Sequence, residues 1–355
     1  MAGRIPGFLA AERETLSTRL GQELLRRLPL AEVRERITSQ DYADFGSDRL
    51  VLTRHRGSFV KPCPGTKGYI CCGLEIIHFG LGCSLGCSYC ILQAYLDTEA
   101  LVLFGNVDEG LAEVESRLAA PSFKPARFCT GEFTDSLLLE DLTGLAARLV
   151  LIFSKTPHLL ELKTKTADVK GLLDLDHGRR TLISFSVNAP EVARQEETRA
   201  APLGKRIEAA GLVVRAGYRV GFHFDPIIRH PGWEDGYART VEEIFRVTPA
   251  DRIAWFSLGA FRYLPRLKAV VRRRHPRTRI MDEEFILAED GKMRYLRPLR
   301  VEMYRRLLEL IRQYDPAACV YLCMESPRVW REVFDFDPGP EGLIRMLDDR
   351  LEDVK

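Results

Sequence analysis

Leucines at helical spacing mark the first part of the chain. They stand among charged neighbours, and this pattern predicts helix over residues 8–40. The residues concerned are Leu9, Leu16, Leu20, Leu24, Leu25 and Leu28. The next segment, 45–75, is interrupted by prolines and glycines and predicts loops with short strands.

Short apolar runs of strand type then alternate with helical patterns. Strands are predicted at 76–79, 126–129, 159–162, 182–187, 220–224 and 253–258. Helices are predicted at 142–153, 169–175, 201–216 and 237–247. About six strand–helix units fit between residues 75 and 260, and such repetition is typical of parallel β/α units. The fold class expected is α/β, with a partial or full parallel β/α barrel.

The barrel is expected to have an extension on each side. Residues 1–60 are predicted to form an N-terminal helical extension and 61–260 the barrel. Residues 261–355 are predicted to form a C-terminal basic, DNA-contacting region, with a turn at Asp290-Gly291 and a long helix over 299–314.

Composition excludes few functions. The 355 residues are 46% hydrophobic and 29% charged, as in an ordinary globular protein, and the net charge of +2 does not by itself indicate nucleic acid. The sequence contains no apolar run of the roughly 18 residues that a membrane helix needs. The first seven residues lack the apolar core of a secretory signal, so a cytoplasmic protein without membrane contact is expected.

Three of the nine cysteines stand close together, at Cys83, Cys87 and Cys90. Clustered cysteines in a reducing compartment favour metal binding, and thiolates are soft ligands that suit iron–sulfur clusters or zinc. Three ligands would leave one iron of a four-iron cluster open to a cofactor. A structural zinc site is the alternative and would need a fourth ligand, for which His78 is the candidate.

The cluster motif, with Tyr89 before its third cysteine, resembles that of the radical S-adenosylmethionine superfamily. That resemblance implies a four-iron, four-sulfur (4Fe–4S) cluster whose open iron binds S-adenosylmethionine. It also implies a 5′-deoxyadenosyl radical and a β/α barrel.

Further segments resemble the spore photoproduct lyase family, and more closely its relatives outside spore formers. They lie in one order over roughly residues 60–245, at 61–66, 71–73, 90–96, 162–173, 184–188, 202–209 and 217–237. The resemblance implies a DNA-repair lyase that reverses a thymine dimer by abstracting a hydrogen atom and returning one. Its partners would be DNA carrying a damaged pyrimidine dimer, and an electron donor such as flavodoxin or ferredoxin.

The resemblance also implies a hydrogen donor. Cys129, at the end of a predicted strand, matches the cysteine that donates a hydrogen atom to the product radical. A buried packing cysteine is the alternative. The family tyrosine after the third cysteine is Ile91 here, which cannot carry a phenoxyl radical. Tyr89 and Tyr95 are therefore the remaining catalytic candidates.

Five residues are implied as S-adenosylmethionine contacts. Glu132 follows Gly131 as in the Gly-Glu element that faces the amino group, and Lys165 suits the carboxylate. Ser186 and Asn188 end a strand where the family contacts the cofactor, and Asp225 suits ribose hydroxyls. The alternatives are a solvated loop charge for Glu132, a surface lysine for Lys165, and turn or cap roles for Ser186 and Asn188.

A basic stretch over 261–280 predicts nucleic-acid binding, with Phe261 and Tyr263 interleaved for base stacking. Its cations are Arg262, Arg266, Lys268, Arg272, Arg273, Arg274, Arg277 and Arg279, followed by Lys292, Arg294, Arg297 and Arg300 around Tyr295. A hairpin at Asp290-Gly291, flanked by Phe285, Met293 and Tyr295, would fill the gap left by a flipped lesion. The alternative is a solvated basic face beside the acidic run 282–284.

Two other functions stay open at this point. One is a radical enzyme acting on RNA, a peptide or a nucleoside. The other is a zinc-stapled nucleic-acid-binding protein. No role is assigned to Cys63, Cys71, Cys72, Cys319 and Cys323.

Overall fold

The computed structural model describes residues 6–43, 49–66, 68–96, 98, 100–120 and 126–352. Its strands are β1 (Phe8–Ala11), β2 (Glu32–Arg34), β3 (Arg49–Thr53), β4 (Val60–Pro62), β5 (Glu75–Ile77), β6 (Gly80–Leu81), β7 (Leu101–Phe104), β8 (Arg127–Thr130), β9 (Leu159–Thr164), β10 (Thr181–Ser186), β11 (Arg219–Ile227), β12 (Ile253–Ala260), β13 (Arg262–Tyr263), β14 (Phe285–Leu287), β15 (Met293–Tyr295) and β16 (Val320–Leu322).

The helices lie between and after these strands. They are α1 (Arg13–Leu16), α2 (Arg19–Arg27), α3 (Ser39–Tyr42), α4 (Leu92–Tyr95), α5 (Val107–Leu118), α6 (Glu140–Thr143), α7 (Leu145–Phe153), α8 (Pro190–Glu196), α9 (Leu203–Arg215), α10 (Trp233–Val247), α11 (Pro265–Arg274), α12 (Arg297–Tyr314), α13 (Pro327–Phe334) and α14 (Gly339–Glu352). Among the described helices, none combines the length and the hydropathy needed to span a bilayer.

An eight-stranded sheet forms the centre of the molecule, in the order β16-β12-β11-β10-β9-β8-β5-β4. All its pairings are parallel except that of β4 with β5. This confirms the α/β class and the parallel barrel, in its partial form. The two ends of the sheet approach each other, because the amide of Ile70 donates to the carbonyl of Glu325 at 2.9 Å.

The predicted helix over 8–40 is wrong at its start and end, and only α1 and α2 form most of its middle part. Leu9 and its neighbours form β1, which pairs in parallel with both β2 and β3 in a second sheet, β2-β1-β3-β7-β6. Helix in this segment is limited to α1, α2 and the short α3, and α2 begins where the Thr18 hydroxyl accepts a hydrogen bond from the amide of Gly21 at 3.1 Å. Long-range strand pairing thus overrides the local leucine spacing. The helix predicted at 169–175 is also reduced, to one 3₁₀ turn at Lys170–Leu172.

The C-terminal part carries a small antiparallel sheet, β13-β15-β14. Phe285 of β14 pairs with Tyr295 of β15, which confirms the hairpin predicted at Asp290-Gly291. The final helix, α14, is tied to the barrel by an ion pair of 2.9 Å between Asp348 and Arg127 of β8. The carboxyl ends of the parallel strands face one cleft, which is where β/α barrels place their active-site residues.

Candidate active site

A cleft of about 290 Å³ lies at the carboxyl ends of the barrel strands. Eight of the eleven predicted site residues line it, namely Cys83, Cys87, Tyr89, Cys90, Glu132, Lys165, Ser186 and Asp225. Asn188, Tyr95 and Cys129 lie outside its lining. Loops that are distant in sequence therefore converge on the three clustered cysteines.

The cysteine loop is held in shape from both ends. Gly82 adopts φ +83°, and a side chain there would collide with the carbonyl of Ala100. At the other end, the Gln93 amide donates to the carbonyls of Cys87 (2.9 Å) and Ser88 (3.1 Å). The loop thus presents its three thiols to one cleft.

The chemistry of these donors fits an iron–sulfur cluster. Burial raises the pKa of Cys83 and of Cys90, and raises that of Cys87 to about 12. Lys165 acts in the opposite direction on Cys87 and Cys90, because its cation stabilises their thiolates. Metal coordination deprotonates such thiols outright, and three soft sulfur donors suit a cluster with one open iron.

The alternative zinc site would need a fourth ligand beside the three cysteines. His78, its proposed fourth ligand, packs edge-on against His55 (ring centroids 5.0 Å apart) and Phe133 (5.4 Å), outside the cleft. Burial lowers the pKa of His78 to about 4, so it is a neutral packed histidine.

Behind the cysteine loop, Tyr89 belongs to a buried polar network. Its hydroxyl donates to Glu197, which also pairs with the buried guanidinium of Arg206. Arg206 in turn donates to the carbonyls of Ser186 (2.7 Å) and Ala201 (2.9 Å). The network therefore joins the cysteine loop to the end of β10, and sequence reasoning missed Glu197 and Arg206.

Lys165 lies on the cleft side of this network. Its ammonium is 5.7 Å from the centroid of the Tyr89 ring. Its backbone is fixed by Asp135, whose carboxylate accepts from the Lys165 amide at 2.6 Å and from the Thr164 hydroxyl at 2.8 Å. Asp135 is thus a half-buried positioning residue for the Lys165 loop.

Glu132 forms an ion pair that the sequence did not suggest. Its carboxylate accepts from the ammonium of Lys163 at 2.6 Å. Gly131, at φ +97°, makes the approach possible, since a side chain there would lie 2.9 Å from the Cβ and the carbonyl oxygen of Lys163. Glu132 is therefore a paired carboxylate at the edge of the cleft.

Lys163 connects this pair to a buried charge network inside the barrel. Glu161 lies 4.0 Å from the Lys163 ammonium and 2.9 Å from Nε2 of His223. Although burial raises the pKa of Glu161, Lys163 and His223 lower it to about 2. The signal for this network was the alternation of charges at positions 161, 163 and 165, since alternate strand residues share one face.

Cys129 is fully buried on β8, beneath the Glu132 edge of the cleft. Its sulfur is 3.9 Å from the Glu132 carboxylate, to which the S–H donates, and it packs with Leu74 and Ile76. Burial raises the pKa of Cys129 well above the usual value, so the group stays a thiol. A protonated thiol is the form that can give up a hydrogen atom.

Two predicted cofactor contacts are engaged elsewhere. Asp225 lines the cleft, but its two oxygens each accept from the guanidinium of Arg262 at 3.1 Å. Asn188 is only 1% exposed, and its amide bonds to the carbonyl of Pro226 (3.0 Å) and the hydroxyl of Tyr237 (2.6 Å). Asn188 is therefore held in the interior by polar contacts with β11 and α10.

Tyr95 lies at the end of α4, 48% exposed, and stacks on Phe133 with ring centroids 6.4 Å apart. Ser186 lines the cleft beside Lys165 at the end of β10. Of the two, only Ser186 is positioned to meet a molecule in the cleft.

The family model of spore photoproduct lyase matches residues 74–318. The chain belongs to the spore photoproduct lyase family. This confirms the resemblance drawn from the motifs. Within the family, the chain is similar to the spore photoproduct lyase of Bacillus subtilis (strain 168), with 30% identity over 301 residues, 79% of this chain and 85% of that protein. The lyase of Geobacillus sp. (strain Y412MC61) is 28% identical over 292 residues, again 79% and 85%.

Solved structures of spore photoproduct lyase share the fold. The lyase complexed with dinucleoside spore photoproduct superposes with a TM-score of 0.79 at 25% identity, covering 90% of this chain and 99% of the other. A variant with bound AdoMet and dinucleoside spore photoproduct gives 0.79 at 24% identity, covering 91% and 100%. The partial barrel is therefore the fold of this lyase family.

Proposed function

We propose that this chain is a radical S-adenosylmethionine lyase that reverses the spore photoproduct, a thymine dimer in DNA. The observation that carries the proposal is the convergence of Cys83, Cys87 and Cys90 on one cleft whose wall covers the buried thiol of Cys129. Family membership supports the reaction, since a similar lyase has been solved with dinucleoside spore photoproduct.

Cys83, Cys87 and Cys90 would hold a 4Fe–4S cluster, which supplies one-electron reductive cleavage of S-adenosylmethionine when bound. A one-electron donor such as flavodoxin or ferredoxin would supply the electron. Lys165 and Ser186 then orient the amino-acid part of the cofactor. Glu132, already paired with Lys163, would need to exchange partners to meet the cofactor ammonium.

Lys165→Ala is expected to weaken S-adenosylmethionine binding. A charge-assisted contact contributes about 1.5–3 kcal/mol, which corresponds to roughly ten- to hundredfold in affinity. Equilibrium binding to the reconstituted protein measures the change, and the cluster absorbance should stay intact. Lys170→Ala, on the exposed 3₁₀ turn that follows, is the matched control and should bind as the wild type does. If both variants bound S-adenosylmethionine with the same affinity, Lys165 would be a surface lysine without a role in cofactor binding.

Part of the predicted basic stretch is exposed and available to DNA. Arg272, Arg273 and Arg277 are exposed on and after α11, and Arg274 reaches Gln93 of the cysteine loop at 3.4 Å. This brings the basic helix close to the cleft, which supports a role in holding the phosphates of a lesion-bearing strand.

Other parts of the predicted basic stretch are interior. Arg262 pairs with Asp225, and Arg294, 1% exposed, pairs with Asp290 at 2.7 Å. The aromatic residues expected to stack on bases are buried in the core and pack on one another. The ring of Tyr263, for example, meets the ring of Phe285 edge-on, with centroids 5.0 Å apart. The base-stacking interpretation of Phe261, Tyr263 and Tyr295 is therefore wrong.

The β14–β15 hairpin carries exposed apolar residues of its own. Ile286 and Leu287 are 44% and 64% exposed, whereas the flanking Tyr295 is buried. These two side chains, rather than Phe285 or Tyr295, are the candidates to fill the gap left by a flipped lesion.

Replacing Arg272 and Arg273 together by Ala is expected to reduce the salt dependence of DNA binding. Each lost phosphate contact lowers the log–log slope by about 0.9, so the slope should become shallower by about 1.8. Titration of a lesion-bearing oligonucleotide at several salt concentrations gives the slope. The double variant Arg246→Ala/Arg312→Ala, with the same charge change on α10 and α12, should keep the wild-type slope. If Arg272→Ala/Arg273→Ala kept the wild-type slope, α11 would be a solvated basic face that does not contact DNA.

The function itself is tested with reconstituted protein under anaerobic conditions. With S-adenosylmethionine, a one-electron reductant and an oligonucleotide carrying the spore dimer, the enzyme should restore two adjacent, unlinked thymines in the strand and release 5′-deoxyadenosine. An oligonucleotide with the cyclobutane dimer is the substrate control. Cleavage of S-adenosylmethionine without any conversion of the spore dimer would contradict the proposed substrate while leaving the radical chemistry in place.

A further inference from the structure

Four cysteines outside the cluster motif line the same cleft. Cys63 follows β4, Cys71 and Cys72 precede β5, and Cys323 follows β16. All four are free thiols. The cleft therefore brings together two groups of thiols, one in the cluster motif and one from the edges of the barrel sheet.

Cys63 and Cys71 lie beside each other in the cleft lining, and each shifts the pKa of the other. The neighbouring Cys71 thiol and the Gly65 amide lower the pKa of Cys63 to about 6, whereas the neighbouring Cys63 raises the pKa of Cys71. Cys63 is thus the thiolate of the pair and Cys71 its proton-bearing partner.

The backbone holds this pair tightly. The amide of Cys63 donates to the carbonyl of Leu74 at 2.8 Å, which continues the pairing of β4 with β5. A side chain at Gly65 would lie 3.2 Å from the sulfur of Cys71. Cys63 thus directly follows β4, and the absence of a side chain at Gly65 leaves room for the sulfur of Cys71.

The pair lies next to the buried thiol of Cys129. Cys129 packs with Leu74 and Ile76 in one apolar cluster, and Cys63 and Cys72 pack against that cluster. β5 carries Ile76 alongside Cys129 of β8 in parallel register. Cys63 thus lies between Cys71 and the apolar cluster that contains Cys129.

Oxidisable tyrosines offer a poorer connection to Cys129. The hydroxyl of Tyr89 is bound to Glu197, and Tyr95 is half-exposed outside the cleft lining. Tyr321 of β16 does line the cleft, and a Tyr321→Phe variant tests its contribution. Among the described residues, the thiols are the redox-active side chains that pack directly against the Cys129 cluster.

We infer that Cys63 and Cys71 form a redox-active dithiol that regenerates the Cys129 thiol after each turnover. The inference rests on the proposed function, because it begins when Cys129 gives its hydrogen atom to the product radical. The S–H bond of Cys129 then breaks, a C–H bond forms in the product, and Cys129 becomes a thiyl radical.

The remaining steps follow thiol chemistry. The Cys63 thiolate joins the Cys129 thiyl as a disulfide radical anion, which passes one electron to the oxidised form of the one-electron carrier protein. Cys71 attacks the resulting Cys63–Cys129 disulfide, and its proton goes to Cys129. The pair has then lost one hydrogen atom to the product and one electron to the carrier, and it ends as a Cys63–Cys71 disulfide. A dithiol reductant restores it.

Peptide mapping after a single turnover tests this chemistry directly. The reconstituted enzyme is given S-adenosylmethionine, reduced flavodoxin and spore-dimer oligonucleotide without added thiol, then quenched in acid and alkylated. The expected result is a Cys63–Cys71 disulfide in proportion to the product. An undamaged oligonucleotide should leave both cysteines alkylated.

Variants give a second, kinetic readout. With dithiothreitol present, Cys63→Ser is expected to stop after about one product per enzyme, since exchange cannot restore Cys129. Cys71→Ser should instead trap a Cys63–Cys129 disulfide. The matched control is Cys319→Ser, a buried cysteine of the segment before β16 that lies outside the cleft lining, and it should turn over as the wild type does.

The outcomes separate this inference from the function on which it rests. Wild-type conversion of the lesion with Cys63 and Cys71 fully reduced, and continued turnover of Cys63→Ser, would overturn the dithiol alone. If Tyr321→Phe stopped after about one product per enzyme while Cys63→Ser turned over normally, the dithiol role would be overturned. A tyrosine would then be the group that restores Cys129. A wild-type enzyme that never converts the lesion would contradict the proposed function, and the dithiol role would fall with it.

Discussion

Cys87→Ala is expected to leave the protein folded but unable to retain iron. Cys83, Cys87 and Cys90 are the proposed ligands of three irons, so the loss of one leaves two ligands for those three. Iron and sulfide analysis after anaerobic reconstitution should fall close to background, and the charge-transfer absorbance should disappear. Cleavage of S-adenosylmethionine should stop with it.

Two other cysteines of the chain provide controls for that experiment. Cys319→Ala removes a buried thiol outside the cleft and should load iron as the wild type does. Cys71→Ala removes a cleft thiol outside the motif and should also load iron. Full iron and sulfide content in Cys87→Ala would show that another ligand set holds the cluster.

Cys129→Ala is expected to separate radical initiation from product formation. The variant should still load iron and cleave S-adenosylmethionine, since Cys129 lies beneath the cleft wall and contacts none of the three ligands in its apolar cluster. Clean thymidine product should become the minor outcome, and adducts of the unquenched product radical with the reductant should predominate. Mass spectrometry of the oligonucleotide distinguishes the two.

Isotope transfer gives an independent measure of the same role. The thiol hydrogen exchanges with solvent, so wild-type turnover in D2O should place deuterium in the product. Cys129→Ser keeps the side-chain size but holds its hydrogen in a stronger bond, and it should behave as Cys129→Ala does. Clean product from Cys129→Ala at the wild-type rate, with no deuterium incorporated by the wild type, would make Cys129 a packing residue.

Local patterns predicted the barrel well because parallel strands are continuous apolar runs between helices. The strand expected at 182–187 is β10, Thr181–Ser186, and the helix expected at 201–216 is α9, Leu203–Arg215. The cysteine motif was equally readable, since its three ligands lie within one short loop. Features that depend on a few neighbouring residues were thus accessible from the sequence.

Features made by distant residues were not accessible. The helical spacing around Leu9 gave no sign that β1 pairs with both β2 and β3. Asp225 and Arg262 are remote enough that neither position suggested their ion pair, and so both were assigned to ligands. A carboxylate and a cation in a cleft resemble binding groups until the structure places them in contact.

The seam between Ile70 and Glu325 has a consequence for the maturation of the enzyme. Its two sides come from the first and the last quarter of the chain, and Glu325 is anchored late, by Arg300 of α12 at 2.9 Å. The cysteine motif, in contrast, is local and is synthesised long before β16. During synthesis the proposed cluster ligands therefore emerge before β16, whose non-local pairing with β12 is slow to form. A cluster bound by these ligands would have an open cleft available until β16 docks.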